Sequence, residues 1–83
     1  MEKSYAFSGT CARGVTFERT EDGKIRNIRF TGGCNGNLKG IASLCEGMPA
    51  EIIIRRLKGL KCGYKNTSCP DQFAGALEKD IQK

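Results

Sequence analysis

Residues 59–71 read Gly59-Leu60-Lys61-Cys62-Gly63-Tyr64-Lys65-Asn66-Thr67-Ser68-Cys69-Pro70-Asp71. Ser68 followed three positions later by Asp71 has the form of a helix capping box, and proline is favoured in a first helical turn. The pattern predicts that Cys69 opens a helix continuing through Leu77, with Phe73, Ala76 and Leu77 turned inward. A helix N-terminus carries unpaired N–H groups and partial positive charge. That setting favours a thiolate over a thiol, and the thiolate is both metal ligand and nucleophile. Cys34, within Thr31-Gly32-Gly33-Cys34-Asn35-Gly36-Asn37, has the same setting ahead of another helical pattern. The remainder reads as a scaffold that brings these sulfurs together.

Upstream, the chain alternates. Ser4 to Ser8 forms a short strand pattern with Tyr5 and Phe7 on one face, and Gly9 to Gly14 is a turn carrying Cys11. Val15 to Arg19 alternates with Val15 and Phe17 inward. Asp22-Gly23 is a strong hairpin signal, and Ile25 to Phe30 returns as a strand. There Ile28 and Phe30 share a face with the stem of Arg26, while Asn27 and Arg29 point the other way.

After the glycine-rich break, Leu38 to Cys45 places Leu38, Ile41, Ala42 and Cys45 on one helical stripe, ended by Gly47. Pro49 opens another helix to Lys58, burying Ile53, Leu57 and Leu60, flanked by Ile52 and Ile54. Strands come first and helices after. The expected fold is α+β: a small antiparallel meander of about three strands followed by three short helices packed on one face.

Eighty-three residues make one domain over 1–83, with 39% hydrophobic and 28% charged side chains, as in folded globular proteins. At this size a hydrophobic core is marginal, and a metal or disulfides often supplement it. No apolar run is long enough to cross a bilayer, and the first residues lack a signal-peptide core, so a cytoplasmic protein without membrane contact is expected.

The five cysteines in a reducing compartment then read as metal ligands, catalytic thiols or core residues. The absence of histidine removes the commonest general base and the commonest nitrogen ligand, which leaves sulfur chemistry. Cys11, Cys34, Cys62 and Cys69 all fall in turns or at helix starts, and four such sulfurs suit tetrahedral zinc. Their spacing differs from the usual close pairs: twenty-two residues separate Cys11 from Cys34, and six separate Cys62 from Cys69. Buried structural thiols are the competing reading, and turn placement argues against it for these four. Cys45, on an apolar stripe, reads as a core residue.

Two further readings attach to the loops. Gly32, Gly33, Asn35, Gly36 and Asn37 can form an anion-binding loop through backbone N–H groups, although the run lacks the P-loop Lys-Ser/Thr. Its glycines otherwise serve close backbone approach to the cysteines. Arg55, Arg56, Lys58, Lys61 and Lys65 form a basic strip beside Tyr64, read first as a solvated helix face and second as a nucleotide or nucleic-acid contact. The net charge of +5 is scattered and accords with the first reading.

GGCNGNLKGI together with CGYKNTSCPDQFAGAL resembles the two blocks of the TSCPD domain, whose eponymous string is Thr67-Ser68-Cys69-Pro70-Asp71. The resemblance runs from Tyr5 to about Glu78. Such domains occur at the C-terminus of adenosylcobalamin-dependent (class II) ribonucleotide reductases and as short free-standing chains. By kinship these chains carry the label ribonucleoside-diphosphate reductase.

The resemblance implies a metal site at Cys11, Cys34, Cys62 and Cys69, with Gly63 among the glycines that turn around it. It also implies a link to deoxyribonucleotide synthesis, with a reductase large chain as partner and adenosylcobalamin only through that partner. The reductase reaction needs a large barrel that 83 residues cannot supply, so an accessory module is expected. An alternative within the same system is a dithiol, Cys62 with Cys69, that re-reduces a reductase.

Overall fold

The computed structural model describes residues 2–10, 12–33, 35–61 and 67–82, with Asn35 by its backbone only. Strands β1 (Glu2–Ala6), β2 (Ala12–Arg19) and β3 (Lys24–Gly32) form an antiparallel meander. Helix α1 (Asn35–Cys45) follows, then a two-residue strand β4 (Met48–Pro49), α2 (Ala50–Leu57) and α3 (Cys69–Ile81). The sheet order is β1-β2-β3-β4, so the architecture is α+β, with four strands and three helices among the described residues. The fourth strand is too short for a periodicity signal. It forms because Gly47 N–H donates to the Ile25 carbonyl at 2.7 Å, steering Met48 and Pro49 alongside Ile25 and Lys24.

The hairpin between β2 and β3 is a type I-like reversal, with Gly23 N–H donating to the Thr20 carbonyl and Gly23 at φ +84°. Only glycine takes that φ at no steric cost. The Gly23 carbonyl in turn accepts from Ala50 N–H at 2.9 Å. That bond satisfies an orphan donor of α2, whose N-cap Pro49 offers no side-chain acceptor.

The β2–β3 register slips twice, once near the start of β2, where Ala12 and Gly14 face the adjacent Gly32 and Thr31, and once in β3. Thr16 pairs with Arg29 but Glu18 pairs with Arg26, so two steps on β2 face three on β3. Asn27 sits at this bulge with φ +53°, a conformation asparagine tolerates better than most residues. The extra residue turns both Ile25 and Ile28 into the core and leaves Arg26, Asn27 and Arg29 exposed. This corrects the expectation that Arg26 shares the inner face with Ile28. A side-chain acceptor stabilises the bulge, since Glu46 Oε2 takes Asn27 N–H at 2.9 Å.

The core lies between the inner sheet face and the helices. Phe17 and Phe73 are fully buried and meet edge-to-face at 6.1 Å; Phe30 meets Phe73 at 5.4 Å. Ile25, Ile53 and Leu77 close around them. Truncating a ring such as Phe73 to alanine costs about 3–5 kcal/mol. Leu57 packs at the core margin as expected, but Leu60 is 47% exposed because α2 ends at Leu57.

Asp80, on the last turns of α3, is a buried charge that no sequence pattern announced. It accepts from Arg19 Nε at 2.6 Å and from the Tyr5 hydroxyl at 3.1 Å, with Lys3 Nζ at 3.7 Å. Burial pushes its carboxyl up. The Arg19 and Tyr5 hydrogen bonds and the charges of Arg19 and Lys3 outweigh that and hold it below the ordinary value. The cluster ties the end of α3 to β1 and β2.

Candidate functional site

The start of α3 is built by local chemistry. Ser68, extended at φ −150° and ψ 169°, is the N-cap, and its Oγ accepts from Asp71 N–H at 3.2 Å. The Asp71 carboxylate does not reciprocate to Ser68. It accepts instead from Gly59 N–H at 2.7 Å and from the Thr67 hydroxyl. Those two bonds, opposed by partial burial and aided by the charge of Lys58, hold the Asp71 carboxyl below its ordinary value. The Ser68 hydroxyl donates to the Leu60 carbonyl at 2.7 Å. Residues 59–60 are thereby pinned to Ser68 and Asp71.

Cys69 is the first residue of this helix, as the capping pattern predicts, and is half-buried. Its Sγ accepts from Ala12 N–H at 3.5 Å, across 57 positions of chain. Ala12 follows Cys11 directly. Ala12 also pairs across the sheet with Gly32.

Gly33, at φ +82°, sits so close that a Cβ there would lie 2.9 Å from Ala12 N and 2.8 Å from Leu38 Cδ1. Gly9 faces Thr67, and Ser8 N–H reaches the Gln72 side chain at 3.4 Å. Three segments distant in sequence therefore meet at one corner: residues 8–9 with Ala12, residues 32–33 and residues 67–72.

The predicted ligands fall unevenly on this map. Cys69 is at the corner. Cys11, Cys34 and Cys62, and with them Gly63, Tyr64 and Lys65, lie outside the described residues. Among the described residues alone, no three metal-ligating side chains gather. Ala12, the residue after Cys11, bonds Cys69, and Gly33, the residue before Cys34, packs against Ala12. Cys45 is elsewhere: it is 5% exposed within the core cluster, and burial pushes its thiol up. That is a packing residue, as its helical stripe implies.

The loop read as an anion cradle is shorter than its sequence suggests. β3 pairs as far as Gly32, and α1 begins at Asn35. Gly36 and Asn37 are exposed in the first turn of α1, and a Cβ at Gly36 would meet open space. Close backbone approach requires glycine at position 33 and leaves room for a side chain at Gly36.

Arg55, Arg56, Lys58 and Lys61 are exposed, and Lys58 is paired with Glu78 at 2.7 Å. Sequence reading missed the Ala12 donor and the Asp71 clamp on Gly59. Each joins a backbone N–H to a side chain 57 or 12 positions away, and only the TxxxD spacing of Thr67 and Asp71 hints at the second.

No helix among the described residues is long and apolar enough to cross a membrane. Comparison with curated proteins and with solved structures gives no match. The TSCPD domain profile, in contrast, matches residues 2–81, and the chain belongs to the TSCPD domain family.

Proposed function

We propose that this chain is a small zinc-binding module in which Cys11, Cys34, Cys62 and Cys69 hold one Zn²⁺, and that it serves ribonucleotide reduction as an accessory. The observation that carries the metal reading is the 3.5 Å approach of Ala12 N–H to Cys69 Sγ. It joins the residue after Cys11 to a cysteine at a helix start, with Gly33, the residue before Cys34, packed against the same Ala12. An N–H donor aimed at sulfur suits a charged thiolate ligand.

Four thiolates fill a tetrahedral shell and leave no position for substrate, so the metal's role is structural. The chain's own residues orient and shield that centre: Ser68 fixes the helix start, Asp71 holds the loop base, and Gly33 permits the close backbone approach. The link to ribonucleotide reduction comes from the resemblance to the C-terminal domain of class II reductases. Adenosylcobalamin and the radical chemistry would belong to the partner's large chain.

Protein purified without chelator should carry close to one zinc per chain. Cys69→Ser should lose it together with cooperative unfolding, because for a small domain metal binding and folding free energy are largely one quantity. Cys45→Ala should keep its zinc and lose at most about 1 kcal/mol. Less than about half an equivalent of metal in the wild type, with a fold indifferent to chelator, refutes the metal reading. Failure to co-purify with a reductase large chain refutes the accessory role.

A further inference from the structure

β3 is paired along its length on one side only. β2 pairs along it, but β4 on the other side reaches just Lys24 and Ile25. Past them Asn27 N–H is taken by Glu46 Oε2, and from Ile28 to Gly32 no strand lies on that side among the described residues. α1 runs back beside this edge, from Leu38 near Gly33 to the turn whose Gly47 binds Ile25. Between helix and strand lies a cleft of about 260 Å³, with Ile28, Phe30, Leu38 and Ala42 as its apolar lining and Arg29 and Lys39 as its cations. No carboxylate lines it.

An unpaired strand edge beside a helix, with a groove between them, is the geometry that peptide-binding modules use to add a strand. We propose that the β3 edge from Ile28 to Gly32 binds an extended segment of a partner protein in which acidic and apolar residues alternate. Backbone hydrogen bonds to the edge supply the pairing. Alternate side chains of an added strand point to opposite faces. The apolar set enters the groove against Phe30, Leu38 and Ala42, and the acidic set lies on the open sheet face beside Arg26 and Arg29.

Charge selects this occupant over a second copy of the chain. Antiparallel pairing of Ile28–Gly32 with its own equivalent would set Arg29 of one copy diagonally beside Arg29 of the other on the same face, and neighbouring like charges destabilise a sheet. Arg29 has only a weak partner of its own, Glu2 at 3.9 Å between two exposed side chains. Lys39 has no ion-pair partner among the described residues. The groove adjoins the Cys69 corner at Gly32 and Leu38, but the proposal does not rest on the metal reading, since none of its contacts involves a cysteine.

The test uses the full chain, isotope-labelled, titrated with a capped peptide alternating aspartate and valine over about six residues. Amide shifts should be confined to Ile28–Gly32 and Leu38–Ala42. The charge-reversed double variant Arg26→Glu with Arg29→Glu should bind this peptide at least about tenfold more weakly and gain affinity for a lysine–valine peptide. Both positions are exposed, and an unchanged melting curve confirms that the variant is folded.

Absence of binding up to about 1 mM overturns the proposal, as do shifts centred elsewhere. Equal binding of a peptide N-methylated at alternate amides overturns strand addition. Preferential binding of oligothymidylate at these residues, or concentration-dependent self-assembly through this edge, overturns the assigned occupant.

Discussion

Replacing Asp80 by asparagine keeps the shape of the side chain and removes its charge. In the native protein the carboxylate is 1% exposed and is held by Arg19 Nε at 2.6 Å and the Tyr5 hydroxyl at 3.1 Å. Truncating one partner of a fully buried pair costs about 3–5 kcal/mol. Here Arg19 and Lys3 are about one-third exposed, at 32% and 36%, so solvent screens part of the attraction. The expected loss is roughly 2–3 kcal/mol, which for a domain of this length lowers Tm by roughly 10–20 °C. Circular dichroism melts of both proteins at pH 7 with saturating zinc measure it.

The pH dependence follows from the depressed carboxyl of Asp80. A group whose folded pKa lies below its unfolded value stabilises fully above the ordinary aspartate pKa of about 3.9, and the contribution fades as pH falls through the folded value. The gap between wild type and Asp80→Asn should be constant from neutrality down to about pH 5 and should close below about pH 4. A Tm difference under about 2 °C at pH 7, or a gap that widens on acidification, refutes the reasoning.

Ser68→Ala removes both the acceptor for Asp71 N–H and the donor to the Leu60 carbonyl, and should cost about 1–2 kcal/mol in urea unfolding. Wild-type stability there would mean that Asp71 alone holds the loop base. At the β3 bulge, Asn27→Val should lose about 1–2 kcal/mol, because a β-branched residue resists φ +53°, whereas Asn27→Gly should be far milder. Equal losses would place the cost in the side-chain bond to Glu18 instead. Gly33→Ala should destabilise by about 1–3 kcal/mol and lower zinc content, while Gly36→Ala should be neutral or stabilising by up to about 1 kcal/mol. Zinc retention in Gly33→Ala would detach that glycine from the proposed centre.

Local rules were enough for the elements that depend on near neighbours. The period-two pattern of Val15 and Phe17, the Asp22-Gly23 turn, the Ser68–Asp71 cap and the inward face of α3 are all contacts within a few residues, and each stands where the pattern put it. Cys45 was legible as core for the same reason: a helical stripe states its burial directly.

Tertiary structure decided whatever needed a partner far along the chain. One residue of slippage at Asn27 reversed the facing of β3, because a bulge answers to pairing with β2 rather than to composition. A fourth strand of two residues exists only because Gly47 binds Ile25. Asp80 is a buried anion because folding carries Arg19 and Tyr5 to it across 61 and 75 positions. The cysteine residue types announced sulfur chemistry. The meeting of Ala12, Gly33 and Cys69 is a matter of backbone approach, for which a sequence carries no periodic signal.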